Sequence, residues 1–300
     1  MNFPFARLPL ELILEVVRIG ASPDCSTALH RPSYATAISL ASTSSMLCSI
    51  AMPHLLRTVV LCTTDHVIAF IESIVLQRKL LAMKPASRLA LEYPRLVRRF
   101  WCTECAERHP FSAGFDLDYG ALYSVLRNLD CLGLDFRAMH LLYNSLASPG
   151  ADPQYDWLCR RVVFAGKHPR WNPLKMSAGG THFFSHITHI SLWIHDAADL
   201  SATNSIPTWL QDVPLTAMPK LTHMTVLLDS ASDPECSPGS VLVCSRDSTG
   251  RPSFQSQQDL LALYPVHDMT VKPRASAAGD SVWEFSFMRG EDEVCWTCIE

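Results

Sequence analysis

The chain has 300 residues, 48% of them hydrophobic and 18% charged, which supplies a core for one large domain or two smaller ones and argues against wholesale disorder. A formal net charge of −4 offers no basic surface for nucleic acid or an anionic membrane as the main partner. Met1–Arg7 lead into an acidic amphipathic segment, so no secretory signal is expected, and the best apolar run, Val67–Leu76, is too short to span a bilayer and contains Glu72.

The first predicted element is a helix beginning near Leu8. Leu8, Leu12, Val16 and Ile19 form an apolar stripe, widened by Ile13, with Glu11, Glu15 and Arg18 opposite. Pro9 suits the first turn, the two glutamates favour the early helix dipole, and Gly20 offers a C-terminal cap. Leu10, Leu14 and Val17 lie outside the main stripe, so the helix is apolar around more of its girth than one packing surface needs. Residues 20–33, with Gly20, Ser22, Pro23, Asp24 and Pro32, read as a surface loop. A second helix is predicted over about 34–42 and a third over about 44–52, with Leu47 and Ile50 inward and Pro53 as its stop.

Leu8-Pro9-x-Glu11-Leu12-Ile13-x-x-Val16, followed by Tyr34–Leu40 and Met52–Leu61, resembles the F-box in the form common among fungal F-box-like proteins. The resemblance covers about the first fifth of the chain. It implies docking on a Skp-type adaptor, and through it a cullin, in a ubiquitin ligase. It also implies Leu8, Pro9, Leu12 and Ile13 as adaptor contacts.

Beyond Pro53 the pattern changes. Leu56-x-x-Val59-x-Leu61 reads as a strand, and Asp65 as the N-cap of a helix with Val67, Phe70, Ile71 and Ile74 on one face. The strand pattern returns around Phe100, Leu132, Val162, Ile190, Met224 and Met269. Helices are predicted near Tyr119–Arg127 and Ala138–Leu146, with room for another strand at Val241–Cys244 and a helix at about Gln258–Tyr264. The strongest internal match aligns His186–Trp193 with Lys220–Leu227, both carrying a Thr-His pair among alternating apolar residues. The series resembles a degenerate leucine-rich repeat, whose regular period is shorter; an ordinary parallel α/β domain would alternate in the same way.

The expected fold class is therefore α+β or α/β. An F-box-like three-helix module over 1–55 precedes an irregular leucine-rich-repeat-like α/β solenoid over 56–288. A cap or tail over 289–300 follows, within a stretch from Gly279 whose Trp283, Phe285, Phe287 and Trp296 are expected to close the end of the solenoid.

On strands lining a concave face, the residues between the inward apolar positions face that surface. They include Arg98, Arg99, Trp101, Arg160, Arg161, Val163, His189, Ser191, Trp193, His223 and Thr225. Exposed Arg and Trp dominate protein-binding energetics, so a protein substrate is expected there. His189 and His223 occupy equivalent places in two strands and read as repeat positions rather than a catalytic pair.

Cys102-x-x-Cys105-x-x-x-His109 supplies three potential zinc ligands where a structural site wants four, and Cys295-x-x-Cys298 is remote. Cys102 already fits an inward strand position, so no metal is expected. The 11 cysteines are odd in number and irregularly placed, which reads as free thiols in a reducing cytoplasmic or nuclear compartment; Cys48, Cys131 and Cys159 resemble small core residues. No P-loop, dinucleotide fingerprint, hydrolase elbow or HExxH motif is present, so neither a cofactor nor a catalytic activity is expected. The alternative to an adaptor is a repeat scaffold without a ubiquitin role. The long 20–33 loop and the Ala41–Ser45 ending of the second helix, where the F-box usually has Cys-(Lys/Arg)-x-(Trp/Phe), favour that alternative.

Overall fold

The computed structural model describes residues 9–21, 34–84, 87, 89–105, 117–149, 156–166, 170–194, 212–228, 241–245 and 287. Three helices come first: α1 (Leu10–Ala21), α2 (Ala35–Thr43) and α3 (Ser45–Arg57). A mixed α/β region follows, with β1 (Thr58–Leu61), α4 (Thr64–Met83), α5 (Tyr93–Leu96), β2 (Arg99–Cys102), α6 (Tyr119–Leu126), β3 (Cys131–Asp135) and α7 (Met139–Ala147). It continues through β4 (Arg161–Ala165), α8 (Asn172–Lys175), α9 (Ala178–His186), β5 (His189–Ile194), β6 (His223–Leu228) and β7 (Val241–Ser245). No helix among the described residues is long and apolar enough to cross a membrane.

α1 packs through a different face from the one its main stripe predicts. Val17 and Ala21 are fully buried and Ile13 is half-buried, in a small core with Ala37, Ala51, Leu40, Leu47 and Ile50. Small residues let the helices approach closely. Gly20 serves that contact rather than a cap, since a Cβ there would lie 3.1 Å from Leu40 Cδ1. Leu12, Val16 and Ile19 of the main stripe are instead 52%, 45% and 61% exposed.

Pro53 does not end the third helix. α3 continues to Arg57 with Pro53 inside it, although an interior proline costs about 3 kcal/mol. Its last turn is held by buried Leu56 and by Met52 and Leu55, which pack on the main core. Its C-cap is Thr58, the first residue of β1, so the boundary expected at 55/56 falls inside a helix and no linker separates helices from sheet.

The seven strands among the described residues lie in sequential order, β1 to β7. Strands β1 to β6 pair in parallel, with Val59, Phe100, Leu132, Val162, Ile190 and Met224 as successive Cα partners. These are the central residues that the sequence pattern identifies. They, with Leu61, Cys102, Leu134, Phe164 and Leu192 two residues on in the first five strands, form one core with side chains of α4, α6, α7 and α9. Within it α4 buries Val67, Phe70, Ile71 and Ile74, each worth about 1.5–3 kcal/mol. The cap of α4 is Thr63, whose hydroxyl accepts from His66 N at 3.3 Å; Asp65, expected as the cap, sits in the first turn. Asp118 and Ser177 cap α6 and α9 in the same way.

β7 is the strand expected at Val241–Cys244, but it pairs with β6 antiparallel rather than adding another parallel rung. The strand expected around Met269 and the helix at 258–264 lie outside the described residues.

Candidate functional site

Two surfaces and one thiol cluster correspond to the candidates in the sequence. The first surface is on α1. Pro9 is exposed at the helix start, its carbonyl accepting from Leu12 N at 3.1 Å and Ile13 N at 3.2 Å. Leu10, Leu12, Leu14, Val16 and Ile19 are all exposed; Leu12, Val16 and Ile19 form an apolar stripe on the side of the helix away from its packed edge, while Leu10 and Leu14 flank Val17 and Ala21 on that edge. Of the expected adaptor contacts, Pro9 and Leu12 are accessible, Ile13 is partly committed to the helical core, and Leu8 lies outside the described residues.

The second surface is the sheet face opposite α4, α6, α7 and α9. In-register pairing brings Arg99, Cys131, Arg161, His189 and His223 into one row across β2 to β6. Arg99, Arg161 and His189 are half-buried. Arg98 and Arg160 fall outside this row because each precedes its strand. Both are exposed, and the Arg98 guanidinium lies 3.8 Å from Asp130.

Trp101 and Trp193 face this surface, but they are buried rather than available to a partner. β2 and β5 are three strand spacings apart, about 14 Å at about 4.8 Å each. Yet the two indoles meet with centroids 5.5 Å apart. They do so because the strands between carry Gly133, Val163 and Ala165, small residues that leave space above the sheet. A Cβ on Gly133 would lie 2.2 Å from Trp101 Cε3. Each indole N–H is satisfied locally, Trp101 Nε1 donating to Thr103 Oγ1 and Trp193 Nε1 to Ser191 Oγ, both at 2.9 Å. Phe287 completes this second core, its ring 5.2 Å from that of Trp101. The C-terminal aromatics were expected to close the end of the strand series. Phe287 instead lies over β2 and β3; Trp283, Phe285 and Trp296, like residues 289–300, fall outside the described residues.

Cys102 and Cys105 are buried and not bridged by a disulfide, and His109, Cys295 and Cys298 lie outside the described residues. Burial pushes the Cys102 thiol well up, and Cys105, Cys62 and Asp135 add to it. A thiol held protonated is a poor nucleophile and a poor metal ligand. Among the described residues no group of three or more His, Cys, Asp or Glu side chains is placed to hold a metal ion. Cys159 is likewise buried, its thiol pushed up to about 12 by burial.

An open cleft of about 760 Å³ on the helical side, between α4, α6 and α7, has no counterpart among the sequence motifs; Arg78, Tyr123, Ser124, Arg127 and Asn144 line its wall. Its residues come from α4, α6, α7 and the ends of the last two helices, with no shared motif, so only the packing assembles it.

No protein-family model, curated protein or solved structure matches the chain.

Proposed function

We propose that the chain is a substrate-recruiting adaptor of F-box type, docking through α1 on a Skp-type adaptor of a cullin-based ubiquitin ligase and receiving a protein substrate on the free face of its sheet. The carrying observation is the α1 stripe: Leu12, Val16 and Ile19 remain exposed on one side of a helix already packed on the other through Ile13, Val17 and Ala21. A contiguous apolar patch of this kind marks an interaction surface. The sequence resemblance names the partner, and the exposure of Pro9 and Leu12 leaves two of the implied contacts open to it.

Behind that helix we read a degenerate leucine-rich-repeat-type solenoid. Sequential strand order and the aligned central residues support this reading. The row of Arg99, Arg161 and His189 provides a polar line with two guanidinium groups for substrate on the sheet face. On this reading the chain positions its partners and performs no chemistry itself. Because α3 runs into β1 without a linker, adaptor and substrate are held in fixed relation.

The test is co-purification with a Skp-type adaptor. Wild-type chain is expected to capture it, and Leu8→Asp with Pro9→Ala to lose it while melting as the wild type does. Failure of wild type to capture the adaptor would overturn the reading.

A further inference from the structure

Phe287 is fully buried on the sheet's free face, 188 residues from the Arg99 side chain that holds it. Arg99 Nη2 donates to the Phe287 carbonyl at 2.5 Å, and the guanidinium carbon lies 4.6 Å from the ring centroid. The ring packs on Trp101 with planes at 42°. The slot beneath it exists because Gly133 lacks a side chain: a Cβ there would come within 2.9 Å of Phe287 Cε2.

These contacts are of two kinds. Trp101 and the Arg99 guanidinium recognise an aromatic ring. The Arg99 donor recognises a backbone carbonyl, which every peptide carries. Neither depends on the residues flanking Phe287. The same slot therefore suits any peptide that brings an aromatic side chain and its own carbonyl to this position. It adjoins the half-buried Arg161 and His189, which share a row with Arg99. The core here is separate from the one between sheet and helices, so emptying it leaves the helix-facing side intact.

We infer that the slot formed by Arg99, Trp101, Gly133 and Trp193 is a recognition pocket for an aromatic anchor on a partner peptide, and that Phe287 occupies it in cis as an autoinhibitory plug. This rests on the reading of the free face as a substrate surface and is independent of α1. A partner binds only the fraction of molecules with the plug displaced, so its apparent affinity is reduced by that fraction.

The probe is a fluorescent synthetic peptide spanning residues 281–293, titrated by anisotropy into full-length wild-type and Phe287→Ala chains. A control peptide carries Ala in place of the phenylalanine corresponding to Phe287. The peptide is expected to bind Phe287→Ala at least about tenfold more tightly than wild type. The control peptide is expected not to bind, and Arg99→Ala in the Phe287→Ala background is expected to abolish binding. Equal binding to wild type and variant, or no binding to a variant that melts cooperatively, would overturn the inference. Should Phe287→Ala not fold, Phe287→Leu carries the same comparison, and failure of both to fold would identify Phe287 as plain core and overturn it as well. Capture of a Skp-type adaptor by the same variants reports separately on α1.

Discussion

The Arg99 guanidinium grips Phe287 twice, over its ring at 4.6 Å and at its carbonyl at 2.5 Å. This pair ties the far end of the chain to the second strand. Arg99→Ala removes both contacts and exposes the Trp101–Trp193 pair beneath. The expected result is a red shift of tryptophan emission and a loss of about 1.5–3 kcal/mol in urea unfolding, the value of a hydrogen bond to a charged group.

Gly133 sets the floor of the same site. Gly133→Ala places a methyl group 2.2 Å from the Trp101 ring, and the ring has to move. Overpacking of this kind costs about 1–3 kcal/mol. Trp101→Leu in the same chain is expected to recover part of that loss, and a double-mutant cycle in urea would measure the coupling.

On α1 the two faces predict opposite outcomes. Val16→Lys and Ile19→Lys alter exposed positions and are expected to shift stability by no more than about 0.5 kcal/mol. Val17→Asp puts an unpaired charge into the core with Ala37 and Ala51 and is expected to cost more than about 3 kcal/mol. Circular-dichroism melts of the three variants distinguish the faces.

Cys159 gives the fold an alkaline limit. Its thiol is raised from an ordinary 9.0 to about 12, so between those values the unfolded chain loses this proton while the folded chain keeps it. The resulting stability is fully present below about pH 9 and is lost as pH rises toward 12. Urea midpoints measured from pH 8 upward are expected to fall, and to fall less steeply in Cys159→Ala, which cannot release that proton.

The parallel register was legible because it depends on a local signal. Alternating apolar residues around Val59, Phe100, Leu132, Val162, Ile190 and Met224 mark a buried strand face wherever the strands lie. The packing face of α1 was not, because Ile13, Val17 and Ala21 follow the same helical period as Leu12, Val16 and the residues beyond. Only the small partners Ala37 and Ala51, brought by other helices, decide between the two phases. Pro53 read as a stop because the packing of Met52, Leu55 and Leu56 that carries the helix past it is tertiary. The fate of Trp101 and Trp193 lay furthest from view. Their burial needs the absent side chain of Gly133 and a phenylalanine from the far end of the chain, and neither leaves a mark near either tryptophan.

The central claim is that the exposed stripe of α1 is a docking face, and calorimetric titration of a purified Skp-type adaptor into the full chain tests it most directly. The account predicts saturable binding to wild type and an affinity lower by at least about tenfold, or about 1.4 kcal/mol, for Leu12→Lys at an unchanged melting temperature. Absence of binding to wild type, or equal binding by Leu12→Lys, would contradict it.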